Sequence, residues 1–99
     1  MRSLRHFDLN LLLVFETLMR ERHVTRAAEK LHLSQPALSH ALKRLREALD
    51  DPLLVRTEQG LQPTPRAMAL LPVVQQALAS LQAGLAPPAS FEPATSIRR

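Results

Sequence analysis

Apolar residues recur at helical spacing in three stretches of the chain and at shorter, strand-like spacing in one. Leu11, Leu12, Phe15, Leu18 and Met19 form the first stripe, which predicts a helix over residues 9–22. Asp8 stands at a capping position, with Phe7 before it and Leu12 after it as a possible hydrophobic staple. Ala28, Leu31, Leu33, Leu38, Ala41 and Leu42 fit the inward faces of two short helices crossing at a tight turn. Thr25 is the expected cap of the first, about 26–31, and Ser34 of the second, about 35–49. Pro36 falls in that second helix's first turn, where its missing N–H costs nothing. His32 lies in the turn and is expected to adopt a left-handed backbone. Leu38, Leu42, Leu45 and Leu49 would be the buried stripe of the second helix.

Asp50-Asp51-Pro52 ends that helix. Leu53-Leu54-Val55-Arg56 and Leu61-Gln62-Pro63 then flank Thr57-Glu58-Gln59-Gly60, which predicts a hairpin with Gly60 at positive φ. Thr64-Pro65 is a cap followed by proline at the first helical position, so a long helix is expected over about 65–84. Ala67, Leu71, Val74, Leu78, Leu81 and Leu85 are spaced 4, 3, 4, 3, 4, the seam of a coiled coil. Pro72 inside it should kink the helix or break its hydrogen bonding locally. Gly84, Pro87 and Pro88 should end it.

Composition narrows the class. Three Phe and no Trp or Tyr in 99 residues leave leucine and alanine to pack the core, which favours helices over a β-sandwich. The absence of cysteine excludes disulfides and thiolate metal sites and fits a reducing compartment, the cytoplasm. Arg2, Arg5, His6 and Asp8 interrupt any apolar run of a signal peptide. Residues 67–91 carry no charge, yet Pro72, Gln75, Gln76, Ser80, Gln82 and Gly84 break the segment, so an amphipathic helix is expected and not a membrane span. The net charge of +4 suits a polyanionic partner.

The candidate chemistry lies on the polar face of helix 35–49. Gln35, Ser39, His40 and Lys43 fall on its outer side. Glutamine can bond adenine at N6 and N7 together, and serine can reach several base edges. Pro36 or Ala37 could touch a thymine methyl. Lys43 and Arg44 suit phosphates or guanine, and the helix N-terminus suits a phosphate. Helix-turn-helix spacing also occurs in ordinary cores, and a polar helix face is often merely solvated. The hairpin, which would form a wing, and the Lys43-Arg44-Arg46 cluster favour DNA reading.

With those residues in view the chain resembles the N-terminal domain of LysR-type transcriptional regulators. Ala27-Ala28, Leu31, Ser34-Gln35-Pro36-Ala37, Ser39, Leu42, Arg44-Leu45, Leu49, Pro52-Leu53-Leu54, Arg56 and Thr64-Pro65 carry the resemblance, which covers about residues 7–85. It implies a mainly α fold: a winged helix-turn-helix of three helices plus a short β-hairpin over residues 1–63, and a linker helix over 64–86. Residues 87–99 would be a hinge and the start of an effector-binding domain. Residues 91–99 resemble that domain's opening, so the chain is expected to be a fragment of a longer protein. The resemblance further implies double-stranded DNA as partner, an interrupted palindrome as operator, and a homodimer paired through Leu71, Val74, Leu78, Leu81 and Leu85. Full-length members form tetramers, and a small-molecule inducer would act only through the C-terminal domain.

Carried over by position, Gln35, Pro36, Ser39 and His40 are the expected recognition-helix contacts, and Ala37 and Lys43, from their own chemistry, are expected base contacts beside them. Thr25, Arg26, Ser34, Arg44, Arg56 and Gln59 are expected at the DNA backbone or in the wing. His40 stands where members often have arginine, and Gln59 where many have a basic residue. Arg56 has two readings, a DNA contact or an ion pair with Asp51 or Glu58. Four histidines lack metal-ligand spacing, and adjacent Ser39 and His40 do not face each other as a dyad would. No cofactor, metal or enzymatic motif is expected. The competing reading is a helical adaptor that dimerises through 65–85 without nucleic acid, which heparin retention and the salt dependence of DNA binding would separate from the first.

Overall fold

The computed structural model describes residues 7–87. In chain order it holds α1 (Asn10–Glu21), α2 (Val24–Leu31), α3 (Gln35–Leu49), β1 (Leu54–Thr57), β2 (Gly60–Pro63) and α4 (Pro65–Leu85). This is a winged helix-turn-helix followed by a long helix. α4 continues as a helix through Pro72, and the expected break in hydrogen bonding is local, one missing donor. Pro72 and Met68, whose carbonyl loses its i+4 donor there, both lie on the exposed side, where water can serve that oxygen. Gly84 lies inside α4 and Ala86 caps it; Pro88 and the rest of the expected hinge are outside the described residues.

Three caps form as the sequence predicts. Ser34 Oγ accepts from the Ala37 N–H at 3.1 Å, and Thr64 Oγ1 accepts from the Ala67 N–H at 3.1 Å. Asp8 serves as the expected cap of the first helix: its Oδ1 accepts from the Asn10 N–H at 3.0 Å and its carbonyl from the Leu11 N–H at 2.9 Å, while Leu9 at φ −63° and ψ −21° has already turned helical. The cap of α2 is corrected: it is His23, extended at φ −152°, whose Nδ1 accepts from the Arg26 N–H, and Thr25 lies one residue inside the helix.

The core joins all four helices and the wing. Phe15 and Leu18 of α1, Leu38 and Leu45 of α3, and Leu53 and Leu54 at the start of the wing are fully buried. Ala27, Ala28 and Ala67 are buried too, and their small side chains let α2 and α4 approach the leucines closely. Leu31, Ala41 and Leu49 are half-buried against this core. Leu33 is exposed, contrary to its expected inward orientation. It follows the left-handed His32 (φ 58°), which reverses the chain and turns the next side chain out.

The wing is a two-stranded antiparallel sheet with Leu54 opposite Pro63 and Thr57 opposite Gly60. Gly60 has φ +100°, as its turn requires. Leu53 is the unexpected residue. It is completely buried at φ 64°, a left-handed conformation that costs a leucine roughly 1–2 kcal/mol. Bonds on both sides hold it there. Its N–H donates to Asp51 Oδ2 at 2.8 Å, and its carbonyl accepts from the Thr64 N–H at 2.9 Å.

Asp51 Oδ2 also accepts from the Thr64 hydroxyl at 2.7 Å. Arg46 donates to the carbonyls of Pro52 and Leu54 at 2.8 and 2.7 Å, and Arg66 donates to the Leu49 carbonyl at 3.2 Å. The end of α3, the base of the wing and the start of α4 are thereby one hydrogen-bonded junction. The Thr64 hydroxyl and the Leu53 N–H, with the nearby Arg66 charge, hold the Asp51 carboxyl below its ordinary pKa.

By length and mean hydropathy α4 is the one described helix that could cross a bilayer. It does not lie free, however. Ala67 and Val74 are buried in the domain's own core, and Leu70, Leu71 and Leu78 pack on its edge. Gln75, Gln76 and Gln82 would carry unpaired amides into hydrocarbon.

Candidate nucleic-acid interface

The structure gathers residues from three elements around a groove of about 370 Å³. Thr25 of α2, Gln35 and Ser39 of α3, and Arg56 of the wing all line it. They meet because the α2–α3 turn brings the two helix starts together and the hairpin folds back beside them. Gln35 Nε2 donates to Thr25 Oγ1 at 2.8 Å, bridging the two helices of the motif.

Gln35, Pro36, Ala37, Ser39, His40 and Lys43 are all exposed. The leucine stripe of α3 fills the opposite side, so this polar face projects away from the core. Lys43 and Arg56 make no ion pair or hydrogen bond among the described residues. Of the two readings of Arg56, the ion pair is therefore absent: Asp51 is occupied by Thr64 and Leu53, and Glu58 remains unpaired.

Other predicted residues are separated from this face. Arg44 follows Gln35 by nine residues, about two and a half turns, and so points to the other side of α3. There it pairs with Asp8 at 3.2 Å. Arg26 is drawn to the end of α1, where it donates to the Glu21 carbonyl at 3.2 Å and faces its carboxylate at 3.5 Å. Ser34 is engaged as a cap. Gln59 folds onto its own turn, its N–H donating to Thr57 Oγ1 at 3.1 Å.

The apparent basic cluster at the end of α3 also divides. Lys43 pairs with none of the described residues, Arg44 is paired, and Arg46 is a structural clamp. Sequence reading missed the roles of Arg46, Asp51 and His23. Only for His23 was a local signal present, a side-chain acceptor immediately before the first helical residue.

A bacterial regulatory helix-turn-helix model of the lysR family matches residues 9–68. The chain belongs to the LysR family. Among its relatives, the HTH-type transcriptional activator NahR of Pseudomonas putida is 53% identical over 96 residues, covering 97% of this chain and 32% of NahR. The chain thus spans about a third of the length of the curated relatives it matches. A probable transcriptional regulator of Pseudomonas aeruginosa, PA0477, superposes with a TM-score of 0.80 at 48% identity, over 93% of this chain and 30% of that one. The BenM DBD/catB site 1 DNA complex superposes with a TM-score of 0.74 at 28% identity, over 80% of this chain and 85% of that one. The fold is the DNA-binding domain of LysR regulators, and the groove lies between its helix-turn-helix and its wing.

The second surface of this LysR-family domain is apolar. A groove of about 640 Å³ runs between α1 and α4, lined by Leu9, Leu13, Leu78, Leu81 and Leu85 among others. Of the expected dimerisation residues, Leu81 and Leu85 are 53% and 81% exposed. Leu71 and Leu78 are half-buried within the chain. Val74 is 3% exposed and is withdrawn from the candidate partner surface, because its own core already covers it.

Proposed function

We propose that this chain is the operator-reading part of a homodimeric LysR-type transcription regulator, acting on double-stranded DNA in the cytoplasm. Residues up to 63 form the reading head and residues 64–86 the linker helix. The single observation that carries the reading is the exposed polar face of α3, with an Arg56 side chain beside it that pairs with none of the described residues. Gln35, Ser39 and Lys43 keep hydrogen-bonding capacity directed outward, and the leucine stripe beneath makes α3 a rigid probe for the major groove. The likeness to a domain solved with DNA supports the same reading. Gln35, Pro36, Ala37, Ser39 and His40 meet base edges; Lys43, Arg56 and the N-terminus of α3 at Ser34 meet phosphates.

Two copies pair through the exposed part of α4 and the leucines of α1. An uncovered row of Leu9, Leu13, Leu81 and Leu85 needs apolar cover, and pairing would hold two α3 helices at a fixed separation. The operator is then an interrupted palindrome, its half-sites about one or more helical turns apart. Selection from a random duplex pool tests this directly: an inverted repeat is expected, and recovery without any consensus would overturn the reading. Leu81→Glu should yield monomers in sedimentation, while unchanged mass would move the dimer contact elsewhere.

A further inference from the structure

We infer that Thr25 is a specificity-determining positioning residue, acting on the operator through the Gln35 carboxamide. This rests on the base-reading role proposed for Gln35. The bond from Gln35 Nε2 to Thr25 Oγ1 is 2.8 Å long and joins residues ten apart in sequence, from two different helices. Among the described residues, the Thr25 hydroxyl bonds nothing else, and Gln35 Oε1 has no partner.

The consequence follows from the chemistry of an amide. Reading adenine needs an acceptor toward N6 and a donor toward N7, in that spatial order. A glutamine rotated by half a turn about its last torsion presents the reverse order. With one Nε2 hydrogen held by Thr25, the carboxamide keeps its second hydrogen and Oε1 for the base. Ordering a glutamine's torsions at an interface also costs affinity, and a bond already present in the free protein removes part of that loss. Thr25 thus pre-orders the Gln35 side chain for the base pair it reads, without touching the base.

Both residues are exposed, so Thr25→Val should leave the fold intact, as a melting curve would verify. The test uses the 99-residue chain and the duplex it selects from a random pool. Fluorescence anisotropy then measures Thr25→Val, Gln35→Ala and the double variant on that duplex and on its substitutions at the base pair read by Gln35. Thr25→Val should lose about fivefold in affinity, the size of one ordinary hydrogen bond, and lose discrimination at that base pair alone. Thr25→Ala should behave likewise, and Thr25→Ser should restore both. In the Gln35→Ala background Thr25→Val should change nothing. An equal loss there, or a loss spread evenly over all sequences, would make Thr25 an independent phosphate contact and overturn the inference. Failure of the underlying reading looks different: Gln35→Ala would then leave base preference untouched at every position.

Discussion

Arg46 and Arg56 are ten residues apart and carry the same side chain, yet the fold engages one and leaves the other unengaged among the described residues. At the junction Arg46 is fully engaged, its guanidinium closing the Pro52 and Leu54 carbonyls into the base of the wing. At the groove the Arg56 side chain engages none of the described residues. The difference extends to their surroundings. Asp51, Thr64 and Leu53 near the junction satisfy one another, and Arg66 serves the Leu49 carbonyl, while Ser39, Lys43 and Arg56 at the groove hold their donors in reserve. In a chain this basic, charge alone does not mark an interface. An interface is marked by polar groups that the fold has left unspent.

That contrast can be broken, and the largest effect should come from the junction. Arg46→Ala strips two carbonyls, one partly buried, of charged donors and should cost about 2–4 kcal/mol in urea unfolding. A loss below 0.5 kcal/mol or so would mean the wing base holds without it. Asp51→Asn probes the same junction through pH. Folding lowers the Asp51 pKa, so protonation opposes folding. Its contribution is complete above about pH 5, where the unfolded carboxyl is almost fully ionised, and is lost as the pH falls through the lowered native value. Acid unfolding of Asp51→Asn should therefore be less steep than that of the parent; parallel curves would remove Asp51 from the account.

The groove should respond in affinity and not in stability. Gln35→Ala is expected to weaken operator binding by about 1–3 kcal/mol and to relax preference at one base pair, with an unchanged urea midpoint. Lys43→Ala should weaken binding to all sequences alike and lower the salt slope by about 0.9; a base-specific loss would reassign it. The smallest change is expected from Arg44→Ala. An exposed pair of this kind contributes about 0–1 kcal/mol to stability, and base preference should not move. A relaxed preference in pool selection would return Arg44 to the reading face.

The order of elements was legible from the sequence because its signals are local. Serine and threonine before proline-containing first turns announce α3 and α4 from a few residues each. Gly60 and a left-handed His32 are demanded by turns whose geometry depends on immediate neighbours. The leucine stripe of α3 also determined which face points outward, since helical periodicity fixes the opposite side once one side is apolar. The tertiary structure decided what each outward or polar residue does next. Arg44 and Lys43 are adjacent in sequence, and only the approach of Asp8 from 36 residues away occupies one and frees the other. Thr25 met Gln35, and Asp51 met Thr64, for the same reason. The regular seam of α4 was divided by α1, which covers Val74 and leaves Leu81 and Leu85 bare. Spacing along a chain encodes direction about a helix axis; occupancy depends on what packs across it, and that contact exists only in the folded molecule.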